Sequence, residues 1–318
     1  MNRSIVILTA PRLTDDHFRA VATALASQQM ELANITPLSR HPDEKAAATD
    51  AATHSGADAA VLAFEGQPLH PDMLPEAMRE LAQVIHADVN WLPKDAFLAD
   101  IKLAVFDMDS TLIQHEVIDE LAKQAGRGEE VAAVTERAMR GEIDFDTSLQ
   151  YRVQTLAGLP EATLRTVADR LNLTQGAKTL IATLKARGIT TAILSGGFTY
   201  FAESVKNRLG LDFYHANQLE IDQGQMTGKV IPPIVNAQRK QDLLREIAAD
   251  LKLTPDQTLA VGDGANDLLM LASAGLGVAY HAKPKVQQQA QLRINHLTLE
   301  SVLYLLGIPE KQWVVLEG

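Results

Sequence analysis

The chain has 318 residues, 46% of them hydrophobic and 22% charged, with no cysteine and a formal net charge of −11. That composition buries a full core and excludes disorder, disulfides and thiolate-bound zinc, and its acidic balance argues against a partner that is nucleic acid or an anionic membrane. "MNRSIVILTAP" is too short an apolar run for a signal peptide and no stretch of 18 apolar residues exists, so the expectation is a soluble cytoplasmic protein of two domains or one large one.

From the N-terminus, "SIVILTA" reads as a strand and "TDDHFRAVATALASQQM" as an amphipathic helix opened by Thr14 as N-cap. "ELANITPLS" returns to alternation, His41 to Gly56 is Ala-rich and loosely helical, "ADAAVLAFEG" is a strand, "PDMLPEAMRELAQVI" a helix and "ADVNWLP" a final strand. The order β-α-β-(connector)-β-α-β predicts a ferredoxin-like α+β domain over residues 1–95, with the boundary in the Pro/Lys/Asp link around Leu92 to Ala96. Beyond it "IKLAVFDMD" is a continuous apolar run, the signature of a strand buried on both faces of a parallel sheet. A long helical stretch follows, broken at Gly126, Gly141 and Gly158–Pro160, and predicts a helical insertion at about 114–188. Then "TTAILS", "TYFAESVKNRLG", "DFYHAN", "RKQDLLREIAADL", "TLAVG", "ANDLLMLASA" and "LGVAY" alternate strand and helix, which predicts a doubly wound parallel α/β sheet within 96–318. "NQLEIDQGQMTGKV" fits a β-hairpin turning at Gln223–Gly224.

Three predicted parallel strands end in small or acidic residues: Asp107-Met108-Asp109, Ser195-Gly196-Gly197, and Gly262-Asp263-Gly264-Ala265-Asn266-Asp267. Ligands bind at the carboxyl ends of strands in open α/β sheets, so the three ends can converge on one crevice. Two aspartates one residue apart repel each other and cost desolvation, and the next ten residues hold no lysine or arginine to offset them. A hard divalent cation with a substrate phosphate suits that set, because Mg²⁺ prefers carboxylate and phosphate oxygens.

"DMDST", "SGG", a lysine at Lys240 and "GDGAND" fall in the order of the haloacid-dehalogenase superfamily of phosphotransferases, and residues 100 to 290 resemble its phosphoserine phosphatase family. Glu116, nine residues after Asp107, and "MRGEIDFDTSLQYRV", with Met139, Phe145 and Arg152, look like that family's cap segment. The resemblance implies Mg²⁺-dependent hydrolysis of a small phosphomonoester, O-phosphoserine, with transfer to another acceptor such as homoserine as the rival activity. It implies Asp107 as nucleophile and Asp109 as acid and base. Asp107, the backbone carbonyl of Asp109 and Asp263 would be metal ligands, with Asp267 supporting that shell. Ser195, Gly196, Lys240 and Asn266 would hold the phosphoryl group, and Glu116 and Arg152 the substrate ammonium and carboxylate. Spacing alone does not separate Lys240 from Arg239, nor Glu116 and Arg152 from solvated helix charges, nor Met139 and Phe145 as pocket walls from ordinary core. The first domain resembles an ACT-like module, a fold that often pairs through its strands. It lacks a glycine in "TAPRLTDD", which turns the expectation from amino-acid binding toward a dimerising or spacing role.

Overall fold

The computed structural model describes residues 3–39, 58–66, 68–93, 97, 100–140 and 142–315. The helical reading of His41 to Gly56 and the link at 94–96 lie outside the described residues. Among the described residues, no helix is long and apolar enough to cross a membrane.

The N-terminal unit runs β1 (Arg3–Ala10), α1 (Asp15–Ala26), β2 (Glu31–Pro37), β3 (Asp58–Glu65), α2 (Leu74–Ile85) and β4 (Asp88–Pro93). Thr14 stands at the N-cap of α1 in extended conformation, and its N–H donates to His17 Nδ1 at 2.9 Å. The sheet is antiparallel in the order β2-β3-β1-β4, as the split βαβ pattern predicts. Alternation along β1 sends Val6 and Leu8 under the helices, against Val21, Leu25, Leu74 and Met78. Ile5 and Ile7 face the opposite way and join the core of the following unit. Both faces of β1 are therefore buried, and the unit is docked rather than tethered.

Side chains of β4 complete the docking. Asn90 Nδ2 donates to the Arg293 carbonyl and Arg293 N–H donates to Asn90 Oδ1, each at 2.8 Å. The Asp88 carboxylate accepts the N–H groups of Asn295 and His296 at 3.0 and 3.1 Å.

The second unit is built on a seven-stranded sheet in the order β11-β10-β9-β5-β6-β7-β8. Its strands are β5 (Leu103–Phe106), β6 (Thr190–Phe198), β7 (Phe213–Asp222), β8 (Gln225–Ile231), β9 (Thr258–Gly262), β10 (Leu276–Tyr280) and β11 (Leu292–Ile294). All pair in parallel except β8, which returns antiparallel beside β7 through the left-handed pair Gln223 and Gly224. The four residues of β5 are completely buried, Leu103 and Val105 toward one helical layer, Ala104 and Phe106 toward the other. Truncating such a phenylalanine to alanine costs roughly 3–5 kcal/mol. The strand sits between β9 and β6, so the chain order reverses at its carboxyl end and the ends of all three strands meet there.

Helices α3 (Val117–Gln124), α4 (Gly128–Met139), α5 (Phe145–Gln154) and α6 (Ala162–Ala168) form the insertion. Its neck is narrow: Ile113 bridges Leu173, Gln114 N–H donates to the Asn172 carbonyl and Thr174 N–H to that of Leu112. The next helix, α7 (Ala177–Ala186), lies beyond that neck and packs on β6. This shortens the expected insertion from about 188 to about 173, because a parallel β5–β6 pair needs a crossover helix on the sheet. The β7–β8 hairpin braces the insertion from below, Gly158 N–H donating to the Met226 carbonyl at 2.8 Å. Helices α8 (Thr199–Leu209), α9 (Ala237–Asp250), α10 (Leu268–Ser273), α11 (Pro284–Gln289) and α12 (Val302–Leu305) complete the layers.

Candidate active site

A cavity of about 220 Å³ lies where the insertion meets the carboxyl ends of β5, β6 and β9. Asp107 leaves β5 extended, with φ −66° and ψ 161°, and its Oδ1 accepts the Met108 N–H at 2.8 Å. Ser110 then takes a left-handed conformation, φ 57°, which turns the chain back. Asp109, two residues after Asp107, lines the same crevice. Its Oδ1 accepts the Val117 N–H at 3.4 Å. The turn also delivers Ser110 Oγ to Glu116 Oε1, at 2.9 Å, fixing one oxygen of a carboxylate that lines the cavity.

Beneath the cavity floor, Lys240 is fully buried and its Nζ stands 2.7 Å from both Asp107 Oδ1 and Asp267 Oδ1. Asp267 Oδ2 accepts the N–H groups of Asp263 and Gly264 at 3.2 and 2.9 Å, so both its oxygens are committed to the protein. The helix explains the choice of lysine: Lys240, Leu243, Leu244 and Ala248 share the buried stripe of α9, whereas Arg239 turns outward to pair with Glu246.

The electrostatics are those of too many acids for one cation. Burial, then the charge of Asp267, pushes Asp107 up to about 8 against the pull of Lys240. Asp263 rises to about 7, again chiefly by burial and then by Asp267. Asp109 is held well above the carboxylate range by burial and by the neighbouring Glu116 and Asp107. Burial opposes charging Lys240, but Asp107 and Asp267 outweigh it and keep the ammonium protonated. Ligand oxygens of Asp107, Asp263 and Asp267 lie within 4.8 Å of one another. An all-oxygen donor set with excess negative charge fits a hard divalent cation such as Mg²⁺.

Ser195, fully buried, accepts the Gly197 N–H on its Oγ at 2.9 Å, which leaves its hydroxyl hydrogen to donate. Glycine is required on both sides of the crevice floor. A Cβ at Gly196 would stand 2.9 Å from the Phe145 ring, and one at Gly197 2.8 Å from Asp109 Oδ2. Phe145 starts α5, so the insertion is closed onto the strand end, and Asn236 Nδ2 adds a bond to Asp146 Oδ1 at 3.0 Å.

At the other end of the cavity, Arg152 reaches in from α5, its Nε donating to the Ser148 carbonyl at 3.4 Å. Burial lowers its pKa against the opposing pull of Glu116, Asp119 and Asp109. Among the described residues it forms no ion pair.

Of the residues singled out in the sequence, Asp107, Asp109, Glu116, Phe145, Arg152, Gly196, Asp263 and Asn266 line the cavity, and Ser195, Lys240 and Asp267 lie buried around it. Met139 closes α4, and its side chain lies outside the described residues. Sequence reasoning missed Asp119 and Lys283, which also line the cavity. Asp119 stands one helical turn after Glu116, a spacing that could have found it. Lys283 precedes Pro284 at the start of a six-residue helix, too short for a periodic signal.

Residues 101–275 match the haloacid dehalogenase-like hydrolase family model. A probable phosphoserine phosphatase of Schizosaccharomyces pombe is 49% identical over 239 residues, 74% of this chain and 80% of its own. Among solved structures, an unliganded probable phosphoserine phosphatase from Vibrio cholerae is 38% identical with a TM-score of 0.74, covering 97% of this chain and 88% of that one. A haloacid dehalogenase family hydrolase from Salmonella enterica serovar Typhi is 31% identical with a TM-score of 0.80, covering 96% of this chain and 99% of that one.

Proposed function

The chain belongs to the haloacid dehalogenase-like hydrolases, and from that premise we propose that it hydrolyses O-phospho-L-serine to L-serine and phosphate in the cytoplasm, the last step of serine formation. The observation that carries the reading is a single cavity with two chemistries: Asp107 held against Lys240 at one end, Glu116 and Arg152 at the other.

Asp107 is the nucleophile. Lys240 and the Met108 N–H hold its Oδ1, which leaves Oδ2 to attack phosphorus and form an aspartyl-phosphate. Asp109, whose protonated form is favoured by burial and by the neighbouring Glu116 and Asp107, gives a proton to the departing serine oxygen and then takes one from the attacking water. Ser195 Oγ–H and the Gly196 N–H hold phosphoryl oxygens, with Asn266 beside them. Carboxylates of Asp107 and Asp263 and the Asp109 carbonyl would hold Mg²⁺, which supplies charge neutralisation at the phosphoryl oxygens. Asp267 orients Lys240 and the Asp263–Gly264 backbone. Arg152 receives the substrate carboxylate and Glu116 its ammonium.

In the same reading residues 1–95 form an ACT-like regulatory or pairing unit and 96–318 the phosphatase. Strand β2 is the free edge of the first sheet, with Leu32 and Ile35 39% and 40% exposed, and a homodimer would form by adding a strand there.

The test is phosphate release from O-phosphoserine, phosphothreonine, phosphotyrosine and sugar phosphates, with Mg²⁺ or chelator. Phosphoserine should turn over fastest and chelator should stop it. Equal rates on sugar phosphates, or full activity in chelator, would overturn the reading.

A further inference from the structure

A second cleft, about 170 Å³, opens where the two units meet. Arg79 and Gln83 of α2 and Asp88 of β4 form one wall, and Gln287, Arg293 and His296 the other. On a chain of net charge −11, two guanidiniums enter it from opposite sides. The carboxylates nearby are already engaged. Asp88 accepts the Asn295 and His296 N–H groups, and Glu76, on the exposed side of α2, takes one Nη of Arg79.

Arg293 is tied by two of its three nitrogens. Its Nε donates to the Gln287 carbonyl and its Nη2 to that of Ala290, at 2.8 Å, while Nη1 makes no hydrogen bond among the described residues. Burial, then the charge of Arg79, lowers the Arg293 pKa to about 10 against the opposing pull of Asp88. A half-buried guanidinium with a free Nη1 is stabilised by an anion that accepts a charge-assisted hydrogen bond from it. The cleft volume corresponds to about five or six water molecules, more than a compact oxyanion fills.

We infer that this cleft binds a small dicarboxylate, one carboxylate held by Arg79 of the N-terminal unit and the other by Arg293 of the phosphatase unit. Gln83 and Gln287 also line the cleft. The site is shared between the units and exists only while they are docked.

Its position ties it to the catalytic cavity. Pro284 and Gln287 of α11 line the cleft, and Arg293 holds carbonyls in and just after that helix. The residue before the helix, Lys283, lines the catalytic cavity, and its N–H donates to the Asp263 carbonyl at 3.2 Å. A ligand bridging Arg79 and Arg293 clamps α11 to the N-terminal unit and thereby fixes Lys283 beside Asp263.

Calorimetric titration of the full chain with succinate tests this without any turnover, so its outcome is separate from that of the phosphatase reading. Wild type should bind saturably and succinamide, the uncharged analogue, should not bind. Among the described residues Arg79 is held by one i,i+3 ion pair, so Arg79→Gln keeps the fold, and it should weaken binding at least tenfold. Arg152→Ala, in the other cavity, should leave the affinity within twofold. No saturable heat with wild type, equal binding of succinamide, or loss of binding in Arg152→Ala but not in Arg79→Gln would overturn the inference.

Discussion

The two ends of the catalytic cavity are built on opposite plans. At the phosphoryl end Lys240 and Asp267 are completely buried, Asp107 nearly so, and bonds of 2.7 Å lock them together. At the far end Glu116 holds one bond from Ser110, and Arg152 has a single long contact with a backbone carbonyl. On the proposed function, one end is complete before substrate arrives and the other is completed by it. Dipoles and charges fixed in advance act on the transition state without reorganising, so rigidity belongs where bonds break. A charge left unpaired gains most when a complementary ligand charge arrives, so openness belongs where the substrate is recognised.

The largest expected effect breaks the locked end. Lys240→Met leaves Asp107 and Asp267 buried without their cation, and removing one partner of a buried pair costs about 3–5 kcal/mol of stability. Turnover of phosphoserine should fall by at least about 10²-fold, the scale of losing one charge-stabilising group. Steady-state kinetics beside a urea unfolding curve reads both, and retention of more than a tenth of wild-type kcat would show that the lock is dispensable.

The open end should respond selectively. Arg152→Ala should lose about 2–5 kcal/mol of transition-state binding for phosphoserine, much of it from the unpaired carboxylate left behind. Phosphoethanolamine, which lacks that carboxylate, should lose far less. A comparison of kcat/KM for the two substrates decides it: equal losses would make Arg152 a structural residue of the insertion.

The smallest effect sharpens the contrast through pH. Asp107 and Asp263 have folded pKa values of about 8 and 7, above the ordinary 3.8. Between those limits the folded chain holds more protons than the unfolded one, so metal-free stability is full at low pH and falls as pH rises through 7 and 8. Asp263→Asn removes one of the crowded charges. In chelator at pH 8.5 it should melt higher than wild type, by about 1–2 kcal/mol, with the gap closing toward pH 5. With Mg²⁺ the order should reverse, since the variant lacks a ligand. Melting curves from pH 5 to 9 that run parallel for both proteins would sink this account.

Much of this was legible in the sequence, and the exceptions have physical causes. β5 announced itself as a continuous apolar run because both its faces are covered, β9 as a strand in the strand–helix alternation, and the acids at their ends marked the crevice. Lys240 was ambiguous beside Arg239, although Lys240, Leu243, Leu244 and Ala248 carry the helical spacing of one buried stripe. The helical nature of Ala177–Ala186 was readable, but its place on the sheet depends on the pairing of Gln114 with Asn172, a contact no local pattern encodes. The three residues of β11 are too few for periodicity. Nor does any motif indicate that the back of the N-terminal sheet is buried, since Ile5 and Ile7 look the same whether they meet another unit or a dimer partner.

Strand β11 is the last of its sheet, and a terminal strand offers its outward peptide groups to any passing chain. At Arg293 both of those groups are taken by the amide of Asn90, a side chain with the same donor and acceptor as a peptide. The N-terminal unit therefore finishes the larger sheet without adding a strand to it. A phosphatase unit separated from residues 1–93 would carry a naked edge, open to strand-by-strand self-association. Asn90, a side chain far from the catalytic cavity, thus takes at this edge the place a further strand would fill.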